Sequence, residues 1–446
     1  MSEPSSSVRP NLPLSGSLTG SSAGNGESTA VDNVAVSSAV ASLYDTYPFP
    51  PEPLLDEAPP GYNWRWQWPS AYSFCTGRKP ETSAPRILDA GCGTGVGTEY
   101  LVHLNPEAEV VGIDLSAGAI AVATERCQRS GADRVTFHNL SIYDVDQIPG
   151  EFDLINCVGV LHHMPDPIRG IQALAKKLKP GGIFHVFVYA ELGRREIQLT
   201  QEAIALLQGS KRGDYKDGVA VGRTLFSTLP EGNQLRQREE TRWSLENHRD
   251  ECFADMYVHP QEIDYNVKTL FELIDASGLG FVGFSNLAYW DLERLLGSDP
   301  DLMARANDLG ERDRYRLVEL LDPELTHFEF FLARPPLKKT DWADDELLKD
   351  AIALRHPCIE GWPSRSFFNY EYQVVSITEE EFAFMEKCGA ASDFPAELAA
   401  ANASEPASET TVGAILEALG QESVAGLDRV RSLQKRQLVM LALPKK

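Results

Sequence analysis

The stretch Ile87-Leu88-Asp89-Ala90-Gly91-Cys92-Gly93-Thr94-Gly95 constrains this chain more than any other. It is a short apolar run, an acid two residues before a glycine, and then alternating glycines. A second acid, Asp114, ends the next apolar run, Val110-Val111-Gly112-Ile113. A doubly wound α/β sheet holds a nucleoside cofactor in this way. The first strand delivers a tight glycine turn against the ligand, and the second delivers a carboxylate to the ribose hydroxyls. A Cβ in that turn would keep the backbone from the ligand and exclude the dihedrals the turn needs.

The spacing also discriminates between cofactors. A dinucleotide fingerprint G-x-G-x-x-G needs a third glycine at 96 or 98, where this chain has Val96 and Thr98. Asp89 would repel a pyrophosphate but suits a ligand with an amino group and a sulfonium cation. The segment resembles motif I of the class I S-adenosylmethionine-dependent methyltransferases, E/D-x-G-x-G-x-G, as Asp89-x-Gly91-x-Gly93-x-Gly95.

The resemblance extends well over residues 85–190 and more loosely over 262–335. It includes Phe152-Asp153-Leu154-Ile155, then Gly159-Val160-Leu161-His162-His163-Met164-Pro165-Asp166-Pro167, then Leu178-Lys179-Pro180-Gly181-Gly182. It implies an α/β fold: a Rossmann-like, seven-stranded, mostly parallel sheet with helices on both faces and an antiparallel last strand. The implied cofactor is S-adenosyl-L-methionine. The backbone of Gly91 and Gly93 would face its amino-acid part, Asp89 its ammonium, Asp114 both ribose hydroxyls and Leu115 the adenine. Cys92, Gly95 and Val158 complete the implied cofactor-binding set. In one place the chain departs from the family. Ser141 stands where an acid usually accepts from the adenine amino group, leaving Ser141 and the amide of Ile142 for that contact.

Strands alternating with helices predict a parallel sheet with right-handed crossovers. The expected strands are 86–89, 110–114, 135–138, 152–157, 183–188, 281–284 and 327–332. The expected helices include 95–103, 117–130, 168–178 and 267–277, with a mixed helical insertion at 190–262. Ser- and Gly-rich residues 1–36 are expected to form a disordered tail. Residues 37–84 are dense in aromatics and prolines and form an expected strap or lid, with Tyr44 and Tyr47 nearest the ligand. The catalytic domain is expected over 85–336.

Beyond Pro336 a small module, 337–446, is expected. Its strand–helix–helix–helix–strand order resembles a winged helix, with a flexible loop at 390–409. That resemblance would suggest DNA, but residues 341–422 are strongly acidic, so a protein-partner or structural role is preferred.

The chain has 446 residues and 43% hydrophobic side chains, enough for a sizeable core in two or three units. Its 65 acids against 41 Lys and Arg give a net charge of −24, which disfavours nucleic acid as a substrate. No apolar run is long enough for a membrane span. The seven cysteines are scattered and never form C-x-x-C, which argues for free thiols in the cytoplasm and against a metal site.

Methyl transfer needs a general base only where the acceptor must lose a proton. The candidates are His162 and His163 after strand four, Tyr189 after strand five, and Tyr257 and His259 in the insertion. The function expected is methyl transfer to a small-molecule acceptor. A methyltransferase acting on protein or RNA is an open alternative, as is a non-catalytic cofactor-binding protein working through its C-terminal module.

Overall fold

The computed structural model describes residues 26–389 and 410–444. The expected loop at 390–409 and residues 1–25 of the expected tail lie outside the described residues. Two helices precede the sheet, α1 (Gly26–Thr46) and α2 (Trp68–Thr76). The first begins well inside the segment expected to be a tail.

Seven strands then form one sheet: β1 (Arg86–Ala90), β2 (Glu109–Asp114), β3 (Val135–Asn139), β4 (Phe152–Val158), β5 (Leu178–Tyr189), β6 (Gly280–Phe284) and β7 (His327–Ala333). Their spatial order is β3-β2-β1-β4-β5-β7-β6. Strands β1 to β5 run parallel, and β7 is antiparallel to both of its neighbours. Central strands such as β1 read as continuous apolar runs because helices cover both faces. The crossover helices are α3 (Val96–Leu104), α4 (Ala117–Ser130) and α5 (Pro167–Lys177). Ser116 starts α4 by accepting from the Ala119 amide at 3.0 Å, and Gly131 ends it in the left-handed conformation. The chain order reverses between β1 and β4, which opens a crevice at the carboxyl ends of those strands.

The insertion holds four helices, α6 (Arg195–Gln208), α7 (Tyr215–Thr228), α8 (Gln234–Arg238) and α9 (Asp250–Tyr257), with a π turn after α8. Helix α10 (Val267–Ser277) leads into β6, and α11 (Glu293–Leu296), α12 (Pro300–Asn307) and α13 (Glu311–Leu321) separate β6 from β7.

The aromatic strap is part of the catalytic core. Trp64 and Trp68 are buried with Ile87, Leu154 and Phe331 on one face of the sheet. The buried Arg126 clamps the proline run onto the glycine turn. It donates to the carbonyls of Thr94, Pro53 and Glu52 at 2.9, 2.8 and 2.7 Å. The Thr94 hydroxyl adds a bond to the Pro50 carbonyl at 2.6 Å. Such charge-assisted bonds hold geometry well when buried.

The C-terminal quarter has its own apolar core, including Leu348, Phe384, Ile415 and Val430. It contains α14 (Asp345–Asp350), β8 (Ile352–Arg355), β9 (Ser366–Phe368), β10 (Val374–Ser376), α15 (Glu379–Lys387), α16 (Val412–Leu419), α17 (Val424–Lys435) and β11 (Val439–Ala442). The strand–helix–helix–helix–strand order is present among the described residues. Among the described residues β10 pairs with β9, and β11 pairs with β8. Strand β8 was missed because a four-residue apolar run after a short helix carries no periodicity that identifies it.

This quarter also touches the strap, where Leu443 exchanges backbone hydrogen bonds with Gly77 and Lys79. Thr378 caps α15 in a reciprocal box with Glu381. Thr378→Ala is expected to destabilise the protein by about 1 kcal/mol. An unchanged denaturant midpoint would contradict that cap's contribution.

Candidate active site

A cavity of about 420 Å³ opens at the switch point, in the size range of small-molecule sites. Its floor is the turn after β1. The amides of Gly91 and Cys92 both donate to the Ile113 carbonyl, at 2.8 and 2.9 Å, which folds the turn back against β2. Gly91 and Gly93 have φ of 81° and 51°, which a side chain rarely adopts. A Cβ on Gly91 would also lie 2.3 Å from a Val160 methyl.

Asp114 sits at the end of β2 and accepts from the Gly93 amide at 2.9 Å and the Ser116 amide at 2.8 Å. Asp89 is buried beneath the turn and accepts from the Thr98 hydroxyl at 2.6 Å and the Asn156 amide at 2.8 Å. Burial raises the pKa of both carboxyls, and these donors oppose the rise. Of the expected cofactor set, Asp89, Gly91, Cys92, Gly93, Asp114, Leu115, Ser141, Ile142 and Val158 all line the cavity. Gly95 does not. It packs against Ala123 and begins α3, so its missing side chain serves helix packing.

The other end of the cavity is built by α1, the loop after β4, the end of β5 and α9, through Tyr44, His163, Tyr189 and Asp255. Tyr44 donates to Asp255 at 2.9 Å. Its pKa is raised, first by burial and then by that carboxylate. Asp255 is itself raised by burial. His163 Nδ1 lies 2.8 Å from the Gln261 carbonyl, which can only accept. Nδ1 therefore carries the proton, and Nε2 is left with its lone pair. Burial pushes the His163 pKa down, so the ring is neutral at pH 7, while Asp255 and Glu262 pull the other way.

The remaining expected catalytic residues stand back from the cavity. His259 stacks on His163 with ring centroids 3.7 Å apart. His162 is fully buried between His163 and Tyr189, with neither ring nitrogen hydrogen-bonded. The hydroxyl of Tyr257 donates to Glu239 at 2.5 Å within the insertion's own core. Neither Tyr257 nor His162 lines the cavity. Burial holds His162 and His259 well below the usual imidazole range.

Asp255 was missed. Its signal was an acid inside the otherwise apolar run Phe253-Ala254-Asp255-Met256-Tyr257.

His163, Asp255 and His259 place ligand atoms within 4.8 Å of one another, the one such group among the described residues. Their orientation does not suit a metal ion. An imidazole holds a metal in its ring plane, and these two rings are stacked with only 26° between planes. An ion in one plane would sit well off the other. His259 Nδ1 also accepts from the Gln261 amide at 3.1 Å, which leaves the proton on Nε2.

A methyltransferase-domain family model matches residues 88–184, the segment carrying the glycine turn and the strands around the cavity. The chain is a class I S-adenosylmethionine-dependent methyltransferase. This methyltransferase is 59% identical over 407 residues to an uncharacterized protein of Synechococcus sp., covering 91% of this chain and 93% of that one. It is 37% identical over 119 residues to a ubiquinone biosynthesis O-methyltransferase of Methylococcus capsulatus, covering 26% of this chain and 46% of that enzyme. PKMT2 from Rickettsia typhi shares the fold at a TM-score of 0.59 and 16% identity, over 86% of this chain and 76% of that one. Among the described residues no helix is long and apolar enough to cross a membrane.

The cavity fits S-adenosylmethionine on its own chemistry. It offers carboxylates at the ends of β1 and β2 for an ammonium and a ribose, and apolar Leu115, Ile142 and Val158 also line it for a base.

Proposed function

We propose that this methyltransferase transfers its methyl group to a hydroxyl on a small, largely apolar molecule, with His163 as the general base. The observation that carries the proposal is the fixed tautomer of His163. A neutral imidazole on the cavity wall keeps an unshared pair on Nε2 because Nδ1 is committed to the Gln261 carbonyl. S-adenosylmethionine supplies an activated methyl on sulfur, so the protein's own work is alignment, exclusion of water and deprotonation. His163 Nε2 would take the acceptor's hydroxyl proton as the oxygen's electron pair forms the new bond to the methyl carbon, and the pair of the broken carbon–sulfur bond would leave on sulfur. Asp255 stabilises the resulting imidazolium, and Tyr44 holds Asp255 in place.

The likeness to ubiquinone biosynthesis O-methyltransferases supports an oxygen acceptor. The lining of the cavity as a whole is mostly apolar, which supports a small apolar one. Asp89 is assigned to the cofactor's ammonium and Asp114 to its ribose. Seven free cysteines, five of them buried, support a cytoplasmic setting.

The assignment is tested with a panel of hydroxylated aromatic and aliphatic compounds, following S-adenosylhomocysteine release. Turnover confined to amines or peptides would overturn the oxygen-acceptor reading. Asp114→Ala is expected to weaken S-adenosylmethionine binding by about 1.5–3 kcal/mol, the loss for charge-assisted hydrogen bonds. Unchanged calorimetric affinity in a folded variant would remove Asp114 from the site.

A further inference from the structure

Beneath the cavity, the side chain of Asp89 is the end of a buried polar chain that crosses the sheet. Asp89, Asn156 and His185 stand directly opposite one another on β1, β4 and β5. All three are at most 4% exposed. His185 Nδ1 lies 2.8 Å from Asn156 Oδ1, and its Nε2 lies 3.1 Å from Glu329 Oε1 on β7. The other oxygen of Glu329 meets Arg65 Nε of the strap at 2.8 Å and accepts from the Ser285 hydroxyl at 3.0 Å. Gln437, between α17 and β11, donates to the Ser285 carbonyl at 3.0 Å and accepts from the Leu287 amide at 3.2 Å. Gln437 is one of two described non-glycine residues with positive φ, at 53°, a conformation retained where surroundings demand it.

Donor and acceptor roles along this chain are fixed by its ends. Asp89 already takes the Thr98 hydroxyl on one oxygen, so the Asn156 group facing the other is the amide NH₂. Asn156 Oδ1 is then left to accept from His185 Nδ1. Arg65 holds the Glu329 carboxyl well below the usual carboxylate range against its burial, so Glu329 accepts from Nε2 as well. Burial lowers the His185 pKa, against the opposing pull of Glu329, yet both ring nitrogens face acceptors. The hydrogen-bond inventory decides for the doubly protonated ring. Charges then alternate from Asp89 through His185 and Glu329 to Arg65, over three strand spacings or about 14 Å. Polar groups this deep are costly unless fully paired, and here every link is made.

We propose that His185 is a positioning residue that holds Asp89 in place through Asn156, and that this relay makes cofactor affinity depend on Arg65 of the strap and Gln437 of the C-terminal quarter. The proposal rests on the reading that Asp89 faces the cofactor's ammonium. The relay fixes the rotamer of Asp89, and loosening it at the far end lets that carboxylate turn away.

The test is calorimetric titration of the full chain with S-adenosylhomocysteine, alongside thermal melts of each unliganded variant. Asp89→Asn is expected to weaken affinity at least tenfold, by about 1.4 kcal/mol. His185→Gln and Arg65→Met are expected to weaken it several-fold although neither touches the cavity, and Arg65→Lys to restore most of the loss. In the Asp89→Asn background, His185→Gln is expected to have no further effect, since a relay acting through Asp89 has nothing left to hold. If Asp89→Asn weakens binding while His185→Gln and Arg65→Met bind normally, the relay is structural only and the proposal fails. Additive losses in the double variant overturn it too. If Asp89→Asn binds as tightly as wild type, the cofactor reading of Asp89 fails first and the inference with it. Arg65→Met is the arm that still decides should His185→Gln not fold.

Discussion

Replacing His163 by glutamine is expected to lower kcat by about 10²–10⁴-fold, the usual contribution of a positioned base, with little change in S-adenosylmethionine affinity. Glutamine keeps a donor for the Gln261 carbonyl but has no basic nitrogen to turn toward the acceptor. The wild-type rate is expected to fall on the acid side at a pH below 6.5, because burial depresses the His163 pKa and only the neutral ring is a base. In the glutamine variant that limb disappears. Steady-state rates across pH 5–8, with binding measured separately, check both statements. A variant as fast as wild type, or one that loses cofactor affinity and rate in parallel, contradicts the assignment.

The second large effect concerns acid stability. His162, His163, His259 and His356 are all buried with depressed pKa values, and burial is the first cause in each. A histidine whose folded pKa lies below its unfolded one binds its proton first in the unfolded chain. Its stabilising contribution is complete above about pH 6.5 and is lost as pH falls through 6.5 toward the folded value.

His356 is the cleanest case. Its pKa is lowered to about 3, and the nearest charge acting on it is Arg65. Between pH 6 and 4 it is expected to contribute a slope of about 1.4 kcal/mol per pH unit. Raised carboxyls work in the opposite direction, above all Asp264, pushed up to about 8 by burial and by Glu262. The wild-type slope is therefore a difference between the two sets. Chemical denaturation of wild type and His356→Asn over pH 8–4 isolates the one residue. The variant is expected to be flatter by that slope, and parallel curves would show that His356 is protonated in the fold.

The parts of this molecule that were legible in its sequence are those governed by local rules. Ser116 and Gly131 bound α4, and Asn266 and Gly278 bound α10, where cap chemistry fixes the ends. The glycine turn and Asp114 were readable because backbone dihedrals and a charge at a strand end leave a pattern at short spacing. Less visible was what depends on long-range neighbours. Asp255 reaches the cavity only because α9 packs beside α1, which brings it to Tyr44, 211 residues earlier. His185 reads as one polar residue in an apolar strand until register sets it between Asn156 and Glu329. Tyr257 and His162 were chosen by residue type, and packing turned both away from the cavity.

The most direct test of the whole account is a crystal structure of the full chain with S-adenosylhomocysteine. The account predicts the ribose hydroxyls on Asp114, the ammonium toward Asp89 and the Gly91 turn, and the sulfur facing the end lined by Tyr44, His163, Tyr189 and Asp255. A ligand whose sulfur faces away from His163, or whose ribose lies off Asp114, would contradict it.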